Sequence, residues 1–250
     1  MKHIPSIVLA LAVLGLLGMG GQDAKPTAPT TDQAAPAPAS ATDATAPAAT
    51  RRPIYGETIQ LFNGKNLDDW TAFFIGGATD PATAFFVEDG VLKSKGMPIG
   101  YIRTKQKFTS YHLAVEWRFD AQKGGGNSGL LMRIISEDKV WPRCIAAQLH
   151  SRNAGDIWNI EDFPMKTTTD ESRISGRRTK KAAPSNENPL GEWNRYDITL
   201  DGEYLELKVN GLIQNVATGC EVVAGPIGLQ SEGVWIEVRK LELKPIIGHE

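Results

Sequence analysis

Residues 111–119 read Tyr-His-Leu-Ala-Val-Glu-Trp-Arg-Phe, and their alternation decides the fold class. Leu113, Val115, Trp117 and Phe119 fall on one parity; His112, Ala114, Glu116 and Arg118 fall on the other. A β-strand sends successive side chains to opposite faces. The stretch therefore predicts a strand whose apolar side meets a core, with Glu116 and Arg118 together on the far side. Residues 144–152 repeat the pattern, with Gln148 and His150 opposite Ile145, Ala147 and Leu149. Between the two, Gly124-Gly125-Gly126-Asn127-Ser128-Gly129 leads into a third run, 130–135, that carries Arg133. A sheet face bearing a carboxylate, two guanidiniums, an amide and an imidazole suits the binding of a polar ligand. The plainer reading is a solvated face with incidental ion pairs.

Short runs of this kind recur outward from that centre. Residues 58–62 end at Asn63-Gly64, and residues 85–87 and 91–94 flank Glu88-Asp89-Gly90, a hairpin signal. Further runs lie at 101–104, 194–200, 204–209, 212–216, 227–230 and 235–243, with Asp201-Gly202 and Asn210-Gly211 as turns. Helical periodicity of useful length is nearly absent. The chain is therefore predicted to be all-β, a β-sandwich or jelly roll. Residues 153–194 break the rhythm: they are polar and interrupted by Pro164, Pro184 and Pro189. Loops this long inside a compact domain are usually functional or disordered. This one directly follows the Gln148/His150 strand. It is expected to wall the binding face, with Asp156 and Trp158 nearest the ligand.

The chain has 250 residues, 22% of them charged, and a formal net charge of -2, which fits one globular domain plus accessories. Near-neutral charge gives no electrostatic case for nucleic acid or an anionic membrane. The basic run Arg173, Arg177, Arg178, Lys180 and Lys181 lies among Ser, Thr, Gly and Asn and reads as a solvated loop. Residues 1–21 have a basic start, an apolar stretch from Ile4 to about Met19 and small residues after it, the order of an export signal. The apolar stretch is short for a membrane span. Export to a periplasm or beyond is expected; cleavage, which leaves no membrane span in the mature protein, is the first reading, and a retained amino-terminal anchor is the alternative because the cleavage site is Gly-based. Residues 22–52 are Ala, Pro, Thr and Ser with scattered Asp and too few large apolar groups to fold, so they read as a flexible tether. The folded domain is predicted over 53–248. Cys144 and Cys220 are open to two readings, a disulfide or two buried small hydrophobes.

Several short motifs occur in order along this domain: Leu61-Phe62-Asn63-Gly64-Lys65 with Leu67 and Trp70; Asp89-Gly90-Val91-Leu92; Glu116-Trp117-Arg118-Phe119; Gly126-Asn127-Ser128-Gly129; Gln148-Leu149; Gly191-Glu192-Trp193-Asn194; Asn210-Gly211; and Gly228-Leu229-Gln230 with Glu232-Gly233. The set resembles the 3-keto-disaccharide hydrolase family. That resemblance implies a concanavalin A-like (lectin/glucanase) sandwich. It also implies action on 3-keto-glucosides, by elimination of the glycosidic bond and hydration. The chain departs from the family pattern around Gln148, where Ala146 and His150 stand at positions that are acidic in many relatives.

A ketone at C3 of a hexose acidifies the C2 proton, and its removal gives an enolate that expels the C1 substituent. The site then needs a general base and donors at the enolate oxygen. His150 is the first candidate base, because imidazole titrates near neutrality; Glu116 is the second. Arg118 and Arg133 are candidates for holding the carbonyl or sugar hydroxyls. Gln148 and Asn127 suit hydroxyls because an amide both donates and accepts. Trp141 and Trp158 are candidates for stacking on a ring, with Asp156 beside them. Each has a structural alternative: Glu116 and Arg118 could pair with Arg239 and Glu237 on a neighbouring strand, and Asn127 could merely shape a turn. Glu116, His150 and Asp156 together could hold a divalent cation, but no standard metal spacing is present and the question stays open. No dinucleotide or phosphate-loop motif occurs. The readings in play are an exported enzyme acting on an oxidised glycoside, a non-catalytic carbohydrate-binding module on a tether, and an adhesion or scaffold domain.

Overall fold

The computed structural model describes residues 52–250. The predicted export signal and all but Arg52 of the predicted tether lie outside the described residues. The described chain forms β1 (Pro53–Tyr55), β2 (Ile59–Gln60), β3 (Trp70–Phe74), β4 (Phe85–Glu88), β5 (Val91–Ser94), β6 (Gly100–Thr104), β7 (Tyr111–Phe119), β8 (Gly129–Met132) and β9 (Cys144–Gln148). It continues with β10 (Ile157–Ile160), β11 (Ile174–Ser175), β12 (Arg178–Thr179), β13 (Asn194–Asp201), β14 (Tyr204–Val209), β15 (Leu212–Ala217), β16 (Gly228–Ser231) and β17 (Ile236–His249). No α-helix occurs among the described residues.

Two antiparallel sheets make a sandwich. The nine-stranded sheet runs β15-β14-β13-β7-β17-β5-β4, with β1 and β2 also paired to β17. The eight-stranded sheet runs β11-β12-β10-β9-β8-β16-β6-β3. Turn chemistry sets the registers. Asp89 and Gly90 both take positive φ between β4 and β5, as a two-residue hairpin of matching twist requires.

Side-chain alternation builds the core. Leu113, Val115, Trp117 and Phe119 of β7 point inward and meet Leu130, Ile145, Ala147 and Leu229 from the other sheet. Trp117 is fully buried, its ring 5.5 Å from that of Tyr196; truncating a ring so placed typically costs about 3–5 kcal/mol. A second apolar cluster lies on the other side of the eight-stranded sheet: Tyr101, Leu131, Ile134, Cys144, Ala146 and Ile160, with Phe73 and Trp158 against it. Cys144 belongs to this outer cluster and Cys220 to the inner core, and both are free thiols. Burial pushes both thiols up from their ordinary value.

Candidate functional site

The outer face of the eight-stranded sheet carries the polar constellation. Gln148 of β9 lies opposite Gly129 of β8, and Gln230 of β16 lies opposite Tyr101 of β6. A Cβ at Gly129 would run into Gln230 Oε1, so glycine leaves room for that side chain to cross the strand. Asn127 precedes β8, and its backbone bridges to Glu232 and Gly233 just after β16. Gln148 Nε2 donates to Asn127 Oδ1 at 2.6 Å. That bond occupies the asparagine carbonyl and leaves its amide hydrogens without an acceptor among the described residues.

Glu232 is held in place by glycines on both sides. A Cβ at Gly126 would meet the Val234 side chain, and one at Gly96 would meet the Val234 backbone. Gly233 N–H donates to Gly96 O at 2.7 Å. These close approaches fix the segment that carries the carboxylate. Trp141, from the loop between β8 and β9, donates its indole N–H to Glu232 Oε1 at 3.4 Å. Burial pushes the Glu232 carboxyl above its ordinary value, against the Trp141 hydrogen bond and the positive form of His150, which pull it down.

These groups line a cavity of about 280 Å³, near the lower end for ligand pockets. Asn127, Gln148, Gln230 and Glu232 supply its polar atoms, and Trp141 and Trp158 its rings. Arg177, from the β11–β12 turn, is the one cation among the lining residues and Glu232 the one carboxylate. Trp158 Nε1 is buried without a partner among the described residues, and a ligand oxygen would satisfy it. A larger open hollow of about 700 Å³ lies between Leu67, Trp70, Asp80, Phe85 and Lys105. It lacks the convergent amides and the paired indoles, so the smaller cavity is the better site.

The structure brings Asn127, Gln148, Trp141 and Trp158 together. His150 stands beside this group, with Nδ1 2.9 Å from Ser151 O and 3.1 Å from Asn153 Nδ2. The expectation that Glu116 and Arg118 share its cleft is corrected. β7 pairs with β13 and β17 in the nine-stranded sheet, so both residues point outward on the side of the sandwich opposite the cavity. Glu116 pairs with Arg239 at 2.6 Å and faces Arg195 at 3.7 Å. Arg118 pairs with Glu237 at 2.7 Å and stacks 4.5 Å from the Trp193 ring.

Arg133 is corrected as well. It follows the end of β8 with φ 52°, which breaks strand parity. Its side chain is fully buried and donates to the carbonyls of Thr109, Gly202 and Glu221. Asp156 is 1% exposed and fully engaged, by Arg178 at 2.5 Å and by Lys181 N–H at 2.7 Å. It anchors the wall and does not line the cavity. Glu116, His150 and Asp156 are therefore not gathered around a cation, and no group of three His, Cys, Asp or Glu able to hold a metal occurs among the described residues. The basic run is not simply solvated either: Arg178 and Arg173 tie it to Asp156 and to Asn215 Oδ1. Sequence reasoning missed Gln230, Glu232 and Arg177. Gln230 was open to it, because Leu229 is apolar and Gln230 has the opposite parity in a short strand.

The chain belongs to the 3-keto-alpha-glucoside-1,2-lyase-like domain family, which it matches over residues 57–244. No curated protein matches it at a significant level. Among solved structures it is similar to two candidate glycosyl hydrolases from Parabacteroides distasonis. One is 20% identical with a TM-score of 0.54, covering 74% of this chain and 92% of that one. The other is 18% identical with a TM-score of 0.55, covering 76% and 100%. The β-glucanase of Bacillus licheniformis is 10% identical with a TM-score of 0.51, covering 76% and 98%. At these identities the likeness is one of fold.

Proposed function

We propose that the chain cleaves 3-keto-glucosides by elimination across C1 and C2, in the cavity on the outer face of the eight-stranded sheet. The observation that carries this reading is a lone, half-buried carboxylate, Glu232, among amides and indoles. Ordinary glycoside hydrolysis uses two carboxyl groups about 5–10 Å apart, and the cavity lining holds Glu232 alone. Elimination next to a ketone needs only one base, because the ketone supplies the acidity. Trp141 and Trp158 offer apolar ring faces, and Asn127, Gln148 and Gln230 offer hydroxyl partners. Family membership supports the same substrate class. A cavity of about 280 Å³ accepts a sugar ring rather than a length of polymer.

Incubation of the purified protein with a 3-keto-glucoside and with its parent glucoside tests the reading. Turnover of the keto sugar alone is expected. Tight binding of both without turnover would instead assign a carbohydrate-binding module. The leader-like residues 1–21 support action outside the cytoplasm. A reporter that is active only after export, fused to this chain, checks that placement.

A further inference from the structure

We propose that Glu232 is the general base that takes the C2 proton, and that Asn127 donates from its amide nitrogen to the C3 oxygen. This inference rests on the elimination reading and assigns its two central roles. Three features of geometry support it. Glu232 is the one carboxylate in the cavity lining. Trp141 occupies its Oε1, which leaves Oε2 without a donor among the described residues and ready to accept a proton. Asn127 is joined to Glu232 by a backbone bridge, and its carbonyl is taken by Gln148, so it faces the cavity as a donor. A base and a donor on neighbouring residues match C2 and C3, which are neighbouring carbons. His150 and Arg177 are the titratable or charged groups around the carboxylate, and burial raises its proton affinity further.

The step balances without an oxidant or reductant. An O–H bond forms at Glu232 Oε2 as C2–H breaks, and the electron pair moves onto the C3 oxygen. Its return forms C1=C2 and breaks the bond from C1 to the aglycone oxygen, which takes a proton from water. Glu232 then releases its proton to solvent, and water adds across C1=C2 to give the free 3-keto sugar. In an α-glucoside chair the C2–H and C1–O bonds are axial on opposite ring faces. The aglycone therefore departs away from the base, and no second carboxylate is needed.

Two substrates test the assignment with the full-length protein in D2O. The first is a 3-keto-α-glucoside. The second is 3-keto-1,5-anhydroglucitol, which lacks a leaving group at C1 and reports C2 proton exchange alone by NMR. Wild type is expected to eliminate the first and to exchange C2–H of the second above the buffer rate. Glu232→Gln should lose about 10²–10⁴-fold in both while still binding the anhydro sugar. Trp141→Phe removes the donor to Oε1 and should move the acid limb of kcat/KM to higher pH. If Glu232→Gln keeps exchange and turnover while wild type is active, the assignment falls and the reaction stands. If His150→Gln alone abolishes both, the base is the imidazole. If wild type neither eliminates nor exchanges, the reaction reading falls and this inference with it.

Discussion

Two glutamates, Glu116 and Glu232, end in opposite environments. Glu116 lies on an outer sheet face between Arg239 and Arg195. Partly exposed pairs of this kind contribute about 0.2–1 kcal/mol. Glu116→Gln should therefore lower stability by no more than about that amount in a denaturant titration and leave turnover unchanged. Glu232 is half-buried, and desolvation pushes its carboxyl above the ordinary value. A raised acid binds its proton more tightly when folded, so its contribution to stability falls as pH rises through the raised value. Glu232→Gln should then melt at or above wild type near neutral pH while losing activity. A lower melting temperature would show a structural role instead. Parity made Glu116 and Gln148 legible as outward-facing residues. It could not expose Glu232, which stands beyond the end of β16, where backbone bridges and not strand alternation set its direction.

At the scale of the element, alternation predicted β7 and β14 to the residue and most other strands to within a few residues. What alternation cannot say is which sheet a strand joins. β7 and β9 are near in sequence, yet a sandwich separates them into different layers, and each outward face then looks to opposite solvent. The short strands β10 to β12 lie in a stretch whose sequence reads mostly as loop, because two- and four-residue strands carry too little period. They nevertheless bring Trp158 and Arg177 to the cavity. β8 supplies a sharper test. Gly129 has ordinary φ, so alanine there is free of backbone strain; its methyl would clash with the flexible end of Gln230 and make ordinary contact with the Ala147 carbonyl. Gly129→Ala should raise KM several-fold by displacing Gln230 and change the melting temperature little. Unchanged KM would remove Gln230 from the site.

Over the whole molecule, the two outer faces divide the work. The face of the nine-stranded sheet is laced with ion pairs, among them His112 with Asp197 at 3.2 Å and Arg118 with Glu237 at 2.7 Å. Burial alone would push the Asp197 and Glu237 carboxyls up. Hydrogen bonds from His112 and Arg195 to the first, and from Trp235 and Arg118 to the second, hold both below their ordinary values of 3.8 and 4.5. Lowered acids stabilise the fold above the unfolded value, and that contribution is lost as pH falls through the folded one. Thermal stability should therefore decline on acidification below those ordinary values, and Asp197→Asn should flatten the decline. An unaltered profile in that variant would place the acid sensitivity elsewhere. The opposite face holds the cavity, where a 3-keto sugar is expected to bind. A crystal structure with 3-keto-1,5-anhydroglucitol tests this most directly. The ring is expected against Trp141 and Trp158, with C2 facing Glu232 Oε2 and the C3 oxygen on Asn127 Nδ2. A sugar bound instead on the Glu116 face, or none bound at saturating concentration, would contradict the account.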